Sequence, residues 1–342
     1  MEKYTKELSI IIPSGKEMFL ARTIQSILEN SEADTEVIAT LDGAWDDPKV
    51  TPNERVTLIY VNKPIGMRAG SNLACKLATG KYIMKIDAHC AFDKGLDRKM
   101  LDAFKETGDN VTMAPTMRNL WAFDWKCRKC GKKTYQGPTP TECKETNYKK
   151  TGKPCDGKKF DRKMMWVGKS NPQSNSFTFD SEPHFQYFGD YTKRPEYKEQ
   201  LDKTGLTESM SLQGSCFMCT KEMYWRLKLS DEDMGNWGNQ GIEVACKTWL
   251  SGGRVLINHK TWYAHMFRTQ GGDFSFPWDA HGRDMQKTKN NVKDFIWNGK
   301  VEGQIHPVSW LVEKFMPVKG WDDESLRKLK ETEVHIDNCK KL

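Results

Sequence analysis

Short apolar strands alternate with amphipathic helices along the first ninety residues, and this alternation restricts the chain to few folds. Runs of strand length and apolar character occupy residues 8–14, 36–41, 56–61 and 81–86. After the first run, apolar residues recur at helical spacing at Leu20, Ile24, Ile27 and Leu28. After the third run, they recur at Ala69, Leu73 and Leu77. Strands that alternate with helices indicate right-handed β-α-β units, so we predict an α/β fold with a mostly parallel sheet.

The loops that end three of these strands carry residues that suit a ligand site. They are Pro13-Ser14, Asp42-Gly43 and Asp87 to His89. Because parallel strands end at one edge of the sheet, these loops line a common crevice, the usual place for a nucleotide. Asp87 and His89 are two positions apart and can face one point, where a carboxylate and an imidazole suit a divalent cation. An acidic turn beside a part-exposed histidine is the alternative interpretation.

Two blocks of the chain, residues 7–105 and about 210–278, resemble the GT-A fold glycosyltransferases, in particular glycosyltransferase family 2. The sharper resemblance is to polypeptide N-acetylgalactosaminyltransferases, whose metal motif Asp-x-His-Cys matches Asp87 to Cys90. Their Trp-Gly-Gly-Glu-Asn-x-Glu and Trp-x-x-Gly-Gly motifs are similar to residues 237–243 and 249–253. Their Gly-His-Val-Phe-Arg motif is similar to residues 264–268. The resemblance implies a Rossmann-like GT-A domain that uses a nucleotide-sugar donor.

The resemblance also implies a metal site. Asp87, His89 and His265 would hold one divalent cation, with Mn²⁺ as the first choice, together with phosphate oxygens of a UDP-sugar. The cation would neutralise the charge that develops on the departing nucleotide diphosphate. Arg268 would donate charge-assisted hydrogen bonds to the same phosphates. For His265, a buried core histidine is the alternative.

A nucleotide pocket and a donor-sugar position follow from the same resemblance. Pro13, Ser14 and Asp42 would line the pocket for the base and ribose, and Gly66 closes the Asn-x-x-x-Gly pattern of the family. Gly214 matches a glycine segment beside the donor sugar. An ordinary strand bulge at Gly214 is an equal alternative.

Gln240 departs from the family pattern. It stands where these transferases carry Glu and where inverting family 2 enzymes carry their base, and a neutral amide cannot take a proton at pH 7. Either transfer is retaining, with the leaving phosphate helping to activate the acceptor, or another carboxylate is the base. The nearest carboxylates in sequence are those of Glu243, Asp231 and Asp233. A helix-face carboxylate without a catalytic role is the alternative for Glu243, and we favour a retaining reaction.

Between the two blocks lies an insert that the resemblance does not cover. Its cysteines follow the spacing Cys-x2-Cys-x12-Cys-x11-Cys at Cys127, Cys130, Cys143 and Cys155. Four thiolates at such spacing can form a tetrahedral, structural Zn²⁺ site of the zinc-ribbon type. Disulfide bonds are the alternative. No apolar run near the amino terminus is typical of a signal peptide, so we expect a cytoplasmic protein, in the host cytoplasm if it is viral, and zinc rather than disulfides.

The insert is also strongly basic. Residues 126–163 contain 13 Lys or Arg against 4 Asp or Glu, whereas the whole chain has a net charge of +7. A basic module beside an active site favours a polyanionic partner, and nucleic acid is the first candidate because phosphate contacts dominate its affinity. Tyr135, Tyr148 and Phe160 interleave with the charges and are available to stack on bases. A solvated basic face without a partner is the alternative.

We predict four regions in the chain. Residues 1–120 form the nucleotide-sugar-binding half of the GT-A domain, and residues 121–163 form the basic insert with its four cysteines. Residues 164–285 form the acceptor-binding half with the metal histidine and a lid, and residues 286–342 form a helical extension. Of the 342 residues, 37% are hydrophobic and 29% charged, which is typical of a globular protein. No apolar stretch is long enough to cross a membrane.

Three functions are compatible with these features. The first is metal-dependent transfer of a hexose or N-acetylhexosamine from a UDP-sugar to a hydroxymethylated base, as in the DNA modification of phage. The second is the same transfer to a protein Ser/Thr or a glycan. The third is a non-enzymatic nucleic-acid-binding protein on a transferase scaffold, which only Gln240 supports. The intact Asp87, His89 and His265 favour an enzyme.

Overall fold

The computed structural model describes residues 4–268, 271–277 and 282–333, apart from the side chains of residues 282–284. The strands are β1 (Lys6–Ser14), β2 (Thr35–Asp42), β3 (Val56–Val61), β4 (Gly80–Ile86), β5 (Cys90–Phe92), β6 (Val111–Cys127), β7 (Lys133–Tyr135), β8 (Phe160–Ser174), β9 (Phe177–Phe179), β10 (Phe185–Tyr187), β11 (Leu206–Glu208), β12 (Cys216–Thr220) and β13 (Arg254–His265). The helices are α1 (Leu20–Asn30), α2 (Met67–Leu77), α3 (Leu96–Thr107), α4 (Pro195–Thr204), α5 (Lys221–Arg226), α6 (Gln240–Leu250), α7 (Gly282–Val292), α8 (Val308–Phe315) and α9 (Asp323–Thr332).

The central sheet is mixed but mostly parallel. Along its main path the strands lie in the order β11-β13-β6-β12-β4-β1-β2-β3. Within the described ranges, β11 and β12 run against the other strands of this path, which share one direction. The predicted α/β fold with a mostly parallel sheet is therefore confirmed. Because β1, β2 and β4 are parallel, the three loops predicted to line one crevice do lie at one edge of the sheet.

Helices cover both faces of the sheet because its central strands are apolar on both sides. In β1, Leu8, Ile10 and Ile12 pack in a core with α1 and α3, whereas Ile11 packs in a second core with α2 and α6. Helix α1 buries Leu20, Ile24 and Ile27 of the predicted stripe, and Leu28 is partly buried beside them. Helices α8 and α9 lie within residues 286–342, where a helical extension is predicted, and both contribute to the second core. Among the described helices, none is both long and apolar enough to cross a bilayer.

Helix α2 buries a different side from the one that carries the apolar pattern of Ala69, Leu73 and Leu77. Leu77 is 53% exposed, and the buried side of the helix carries Arg68, Gly70, Ser71, Ala74 and Cys75. The reason is a buried ion pair between Arg68 and Glu243 of α6. Nε and Nη2 of Arg68 donate to Glu243 Oε2 at 3.0 and 2.8 Å. A pattern of apolar residues cannot reveal a helix face that is buried through a charge pair.

The cysteine insert is the tip of a long β-ribbon. Strands β6 and β8 pair antiparallel from Met117 and Ser174 out to Cys127 and Phe160, and β7 pairs with the outer part of β6. The region boundaries predicted at residues 120 and 163 fall inside β6 and β8. The insert also contacts residues 268–284, the segment predicted as a lid, since the backbone N–H of Thr139 donates to Asp273 at 2.8 Å. Residues 269–270 and 278–281 of that segment lie outside the described residues.

The buried pair of Arg68 and Glu243 yields the first prediction. In Arg68→Met, Glu243 keeps its ion pair with Lys247 but loses two buried hydrogen bonds, so we expect the free energy of unfolding to fall by about 3–5 kcal/mol. The matched control is Arg327→Met, because Arg327 is 56% exposed and pairs with Glu324 on the surface. Its expected loss is below about 1 kcal/mol. Urea unfolding followed by circular dichroism measures both, and equal losses in the two variants would contradict the assignment.

Candidate active site and cysteine cluster

Asp87, His89 and His265 converge at the carboxyl edge of the sheet. Asp87 follows β4 directly, and the antiparallel pairing of β5 with β13 sets His265 opposite Cys90. His89 Nε2 and His265 Nε2 are 3.1 Å apart, and His265 Nε2 is 3.2 Å from Asp87 Oδ2. One ligand atom from each side chain lies within 4.8 Å of the others, a spacing that suits a single bound cation.

Glu17 orients His89 through the ring nitrogen that faces away from the cluster. Its Oε2 lies 3.0 Å from His89 Nδ1, so Nδ1 is occupied and Nε2 faces the cluster. A carboxylate on the far nitrogen of a histidine is the usual support of a metal ligand. Burial alone would raise the pKa of Glu17, but His89 and Arg268 outweigh burial and lower that pKa. No pattern in the sequence indicates this residue, which lies in the loop between β1 and α1.

Lys85 holds the third member of the cluster. Its ammonium donates to Asp87 Oδ1 at 2.6 Å and to the carbonyl of Gly214 at 2.9 Å, while its side chain is only 2% exposed. Burial would raise the pKa of Asp87, but the charge of Lys85 and the hydrogen bond to His265 lower that pKa well below its ordinary value. Asp87 is therefore an ionised carboxylate with Oδ2 turned to the two histidines.

His265 is the buried imidazole of the cluster. Burial lowers its pKa, and this effect outweighs the hydrogen bond to Asp87, which acts in the opposite direction. Its Nδ1 is buried and has no hydrogen-bond partner among the described residues. A neutral imidazole is the form that binds a metal ion, and a donor set of two imidazoles and one carboxylate suits a divalent cation.

Gly214, which lies in the loop before β12, is close to Gln240 at the start of α6. A Cβ atom on Gly214 would stand 3.2 Å from Gln240 Cβ and 3.1 Å from the backbone nitrogen of Gly241, so the close approach favours glycine there. Gln240 is 4% exposed, and its Nε2 donates to Ser230 Oγ at 3.0 Å. Its Oε1 is buried with no hydrogen-bond partner among the residues described. An acceptor atom is thus available beside Gly214.

Glu243 does not stand free as a base. Its Oε1 accepts from Lys247 Nζ at 3.0 Å and from the backbone N–H of Asp231 at 3.1 Å, while Oε2 binds Arg68. Both carboxylate oxygens of Glu243 are therefore engaged by donors of the protein, and neither is free to accept a proton from an acceptor hydroxyl. The second carboxylate considered from sequence, that of Asp231, pairs with Lys247 at 3.1 Å.

Of the residues predicted to contact the nucleotide, Pro13 and Ser14 lie at the expected edge of the sheet, whereas Asp42 binds backbone groups of the protein. Pro13 and Ser14 end β1 at the expected edge of the sheet. Asp42 instead accepts from the backbone N–H groups of Ile65 at 2.7 Å and Gly66 at 2.9 Å, so its carboxylate holds the loop before α2. Gly66 has a φ of +89°, a conformation that favours glycine.

Arg268, predicted to contact phosphates, binds Glu17 in this structure. Its Nη2 lies 2.7 Å from both carboxylate oxygens, and its Nη1 donates to the carbonyl of Ser275 at 3.2 Å. Its Nε is buried without a hydrogen-bond partner in the described part of the chain. Arg268 therefore lies one side chain away from His89, with an unused donor.

The four cysteines of the insert form a second cluster. The Sγ atoms of Cys127 and Cys155 are 4.0 Å apart, and those of Cys130 and Cys143 are 3.4 Å apart. Four thiolates around one Zn²⁺ ion would be about 3.8 Å apart, given Zn–S bonds of about 2.3 Å. A Cβ atom on Gly157 would stand only 2.5 Å from Cys127 Sγ, so the chain closes tightly around the sulfurs. The cluster has the dimensions of a tetrahedral zinc site.

Exposed lysines surround the cysteine cluster. Arg128 pairs with Asp161, Lys129 with Asp156 and Lys132 with Glu145. Several exposed lysines make no ion pair with the described residues: Lys126, Lys133, Lys144, Lys150, Lys153, Lys158, Lys159 and Lys163.

Tyr135, Tyr148 and Phe160, the aromatic residues predicted to stack on bases, contact other side chains of the protein. Tyr148 and Phe160 lie against the cysteine cluster, and Lys169 Nζ lies 4.1 Å from the ring centroid of Tyr135. Two of the three rings expected to stack on bases, Tyr148 and Phe160, are therefore partly buried within the protein, which weakens that part of the prediction, whereas Tyr135 is 39% exposed.

A family model and curated relatives match this chain. The model described as glycosyl transferase family 2 matches residues 9–165. Polypeptide N-acetylgalactosaminyltransferase 4 of Mus musculus is 23% identical over 270 residues, which are 76% of this chain and 39% of that protein. Putative polypeptide N-acetylgalactosaminyltransferase 13 of Drosophila melanogaster is 21% identical over 324 residues, which are 90% of this chain and 48% of that protein. The chain thus spans less than half the length of these two relatives.

A solved structure shares the fold. The crystal structure of GalNAc-T7 with UDP, GalNAc and Mn2+ matches with a TM-score of 0.61 and 15% sequence identity. The match covers 100% of this chain and 56% of the other. At this level of identity the likeness concerns the fold.

Glu17 yields the second prediction. Glu17→Gln removes the charge that orients His89, so we expect the affinity for Mn²⁺, measured in the presence of UDP, to fall about 10- to 100-fold. Electron paramagnetic resonance of free Mn²⁺ measures this affinity. The matched control is Glu29→Gln, whose carboxylate pairs with Arg22 on the exposed side of α1 and is expected to leave the affinity unchanged. A folded Glu17→Gln protein with wild-type affinity would show that Glu17 does not support the site.

Proposed function

We propose that this chain, which has the GT-A glycosyltransferase fold and a family 2 glycosyltransferase match over residues 9–165, is a metal-dependent glycosyltransferase that uses a UDP-sugar. The observation that carries the proposal is the convergence of Asp87, His89 and His265 at the edge where β1, β2 and β4 end. The edge of a parallel sheet is where nucleotides bind in such folds.

The three converging side chains would hold Mn²⁺ or another divalent cation. The support is the donor set itself, which consists of an ionised Asp87, a His89 oriented by Glu17 and a neutral His265. When bound, the cation would act as a Lewis acid that neutralises charge on the departing nucleotide diphosphate. The chain's own residues would position the donor around it.

The nucleotide would lie along the ends of β1 and β2. Pro13 and Ser14 would line the nucleotide pocket. Asp42 would shape the pocket indirectly, because its carboxylate accepts from the backbone N–H of Gly66 in the loop before α2. Arg268 would contact the phosphates with Nε, the donor that its ion pair with Glu17 leaves unused.

We propose a retaining reaction. Gln240 is an amide, and Glu243 is clamped between Arg68 and Lys247, so neither supports the role of an inverting base. A leaving phosphate oxygen would then help to remove the proton of the acceptor hydroxyl. Gly214 and the free Oε1 of Gln240 would lie beside the donor sugar.

A hydroxyl of a polypeptide Ser/Thr or of a glycan is the acceptor that we propose first. The names of the relatives support it, because they are polypeptide transferases, although this chain spans less than half of their length. The acceptor predicted from the sequence, a hydroxymethylated base in DNA, stands second. It has no support from the relatives, and the observation that favours it is the set of exposed, unpaired lysines on the insert.

The remaining sequence hypothesis, a non-enzymatic nucleic-acid-binding protein, receives less support. Its only basis is Gln240, whereas the metal-competent side chains and the second-layer contacts from Glu17 and Lys85 are all in place. Buried carboxylates and lysines are retained where a site needs them, because they are otherwise destabilising.

We also propose a structural Zn²⁺ ion on the insert and a reducing, cytoplasmic environment. The spacing of the four sulfurs and the closeness of Gly157 support the zinc ion. The cysteines in the described part of the chain are all free thiols, as expected of a reducing compartment.

A transfer assay tests the proposed reaction. Protein, Mn²⁺ and a panel of UDP-sugars would be offered Ser/Thr peptides, glycans, DNA with 5-hydroxymethylcytosine or 5-hydroxymethyluracil, and plain DNA. We expect UDP release and a sugar-sized mass increment on the peptide or glycan. An increment only on the hydroxymethylated DNA would assign the second acceptor, and no UDP release with any sugar would contradict the proposal.

Substitution of the converging side chains tests the site. Asp87→Ala and His265→Ala each remove a ligand atom, so we expect metal-dependent UDP release to fall by about 100-fold or more. The matched control is Asp109→Ala, whose carboxylate pairs with Lys81 on the surface and which should keep wild-type release. Wild-type release from folded Asp87→Ala would contradict the assignment.

Metal analysis tests the insert. We expect about one Zn²⁺ ion per chain, lost in Cys143→Ser but retained in the control Cys246→Ser, because Cys246 is a buried thiol of α6. If the zinc site exists, all ten cysteines should react with a thiol reagent after unfolding without reductant. Fewer reactive thiols would instead indicate disulfide bonds.

A further inference from the structure

The charges around the proposed metal site cancel. Among the described side chains, Asp87 is paired with Lys85 and Glu17 is paired with Arg268. The two imidazoles add no charge in the neutral form that binds a metal. A divalent cation that enters this site therefore meets no net negative charge from the protein.

Lys85 is the unusual member of this set because it lies in the middle of the sheet. Its neighbours in register are Ile11 of β1 and Phe217 of β12, both fully buried. A buried ammonium is strongly destabilising without partners, and the two oxygens that it contacts belong to Asp87 and Gly214. Lys85 thus occupies Oδ1 of the metal-facing carboxylate and leaves only Oδ2 for the cation.

Lys85 also connects the metal side of the site with the sugar side. Its ammonium bridges Asp87 and the carbonyl of Gly214, and Gly214 packs against Gln240 at the start of α6. The backbone N–H of Asp87 donates to the carbonyl of Ser215 at 2.9 Å, which fixes the same two segments side by side.

We propose that Lys85 is a positioning residue that makes binding of the divalent cation conditional on the nucleotide diphosphate. This inference rests on the proposed function. With Lys85 in place, the protein supplies no net negative charge to the cation. The pyrophosphate of the donor would supply that negative charge. With the lysine gone, Asp87 alone would attract the cation, while the pyrophosphate would lose a nearby positive charge.

The first test uses the wild-type protein. Electron paramagnetic resonance gives the affinity for Mn²⁺ with and without UDP, and calorimetry gives the affinity for UDP with Mn²⁺ or with a chelator. We expect UDP to tighten Mn²⁺ binding by at least about fivefold, and Mn²⁺ to tighten UDP binding by the same factor. Equally tight Mn²⁺ binding with and without UDP would overturn the inference.

The second test replaces the lysine. In Lys85→Met we expect two opposite changes: Mn²⁺ binds about tenfold more tightly without UDP, and UDP binds about tenfold more weakly in the presence of Mn²⁺. Lys85→Gln keeps a hydrogen-bond donor but removes the charge, so the same two changes are expected. A loss of both affinities in a folded variant would indicate a merely structural lysine and overturn the inference.

The matched control is Lys247→Met. Lys247 is equally buried and pairs with Glu243 and Asp231, but it does not contact Asp87, so both affinities should stay at wild-type values. If Lys85→Met does not fold, Lys85→Gln carries the substitution test, and equally tight Mn²⁺ binding to the wild-type protein with and without UDP would still overturn the inference. Absence of any UDP binding to the wild-type protein in the presence of Mn²⁺ would contradict the proposed function itself. Independent binding of Mn²⁺ and UDP would contradict only the role of Lys85.

Discussion

The pairing of β5 with the end of β13 is the contact on which the proposed active site depends. It sets His265 next to His89, although the two residues are 176 positions apart in the sequence. The pairing is possible because β13 and β4 run in the same direction. Strand β13 is parallel to β6, and both β6 and β4 are antiparallel to β12, which lies between them. The carboxyl ends of β4 and β13 therefore meet at one edge. The sheet thus sets the position of His265 and holds both ends of the short loop that carries Asp87 and His89.

Buried charge pairs join the segments around this edge. Arg68 ties α2 to α6, Lys85 ties Asp87 to the loop before β12, and Arg268 ties the end of β13 to the loop that carries Glu17. Breaking one such pair removes a charged partner from a buried side chain, which is destabilising, so each pair holds its two segments in one arrangement. The same pairing explains why Glu243 does not stand free as a base and why the proposed metal site carries no net charge from the protein.

The parallel part of the sheet could be predicted from the alternation of strands and helices. The converging trio of Asp87, His89 and His265 could be predicted because its motifs resemble those of polypeptide N-acetylgalactosaminyltransferases. The residues behind the trio could not. Glu17 lies in a loop without a pattern, and Lys85 alternates with apolar neighbours as a solvent-facing residue would. Helix α2 buries a side other than that of its apolar pattern for the same reason, since Arg68 is buried through a charge partner distant in sequence. Composition suggests nucleic acid for the basic insert. The partial burial of Tyr148 and Phe160 against the cysteines depends on tertiary packing, which composition does not reveal.

The central claim is that Asp87, His89 and His265 form one cation site beside the nucleotide. Anomalous diffraction at the manganese absorption edge, from crystals grown with Mn²⁺ and UDP, tests it most directly. The account predicts one manganese peak bonded to Asp87 Oδ2 and to Nε2 of both histidines, at the ligand atoms that already converge. A manganese peak elsewhere in the chain, or UDP bound with no manganese at these three side chains, would contradict it.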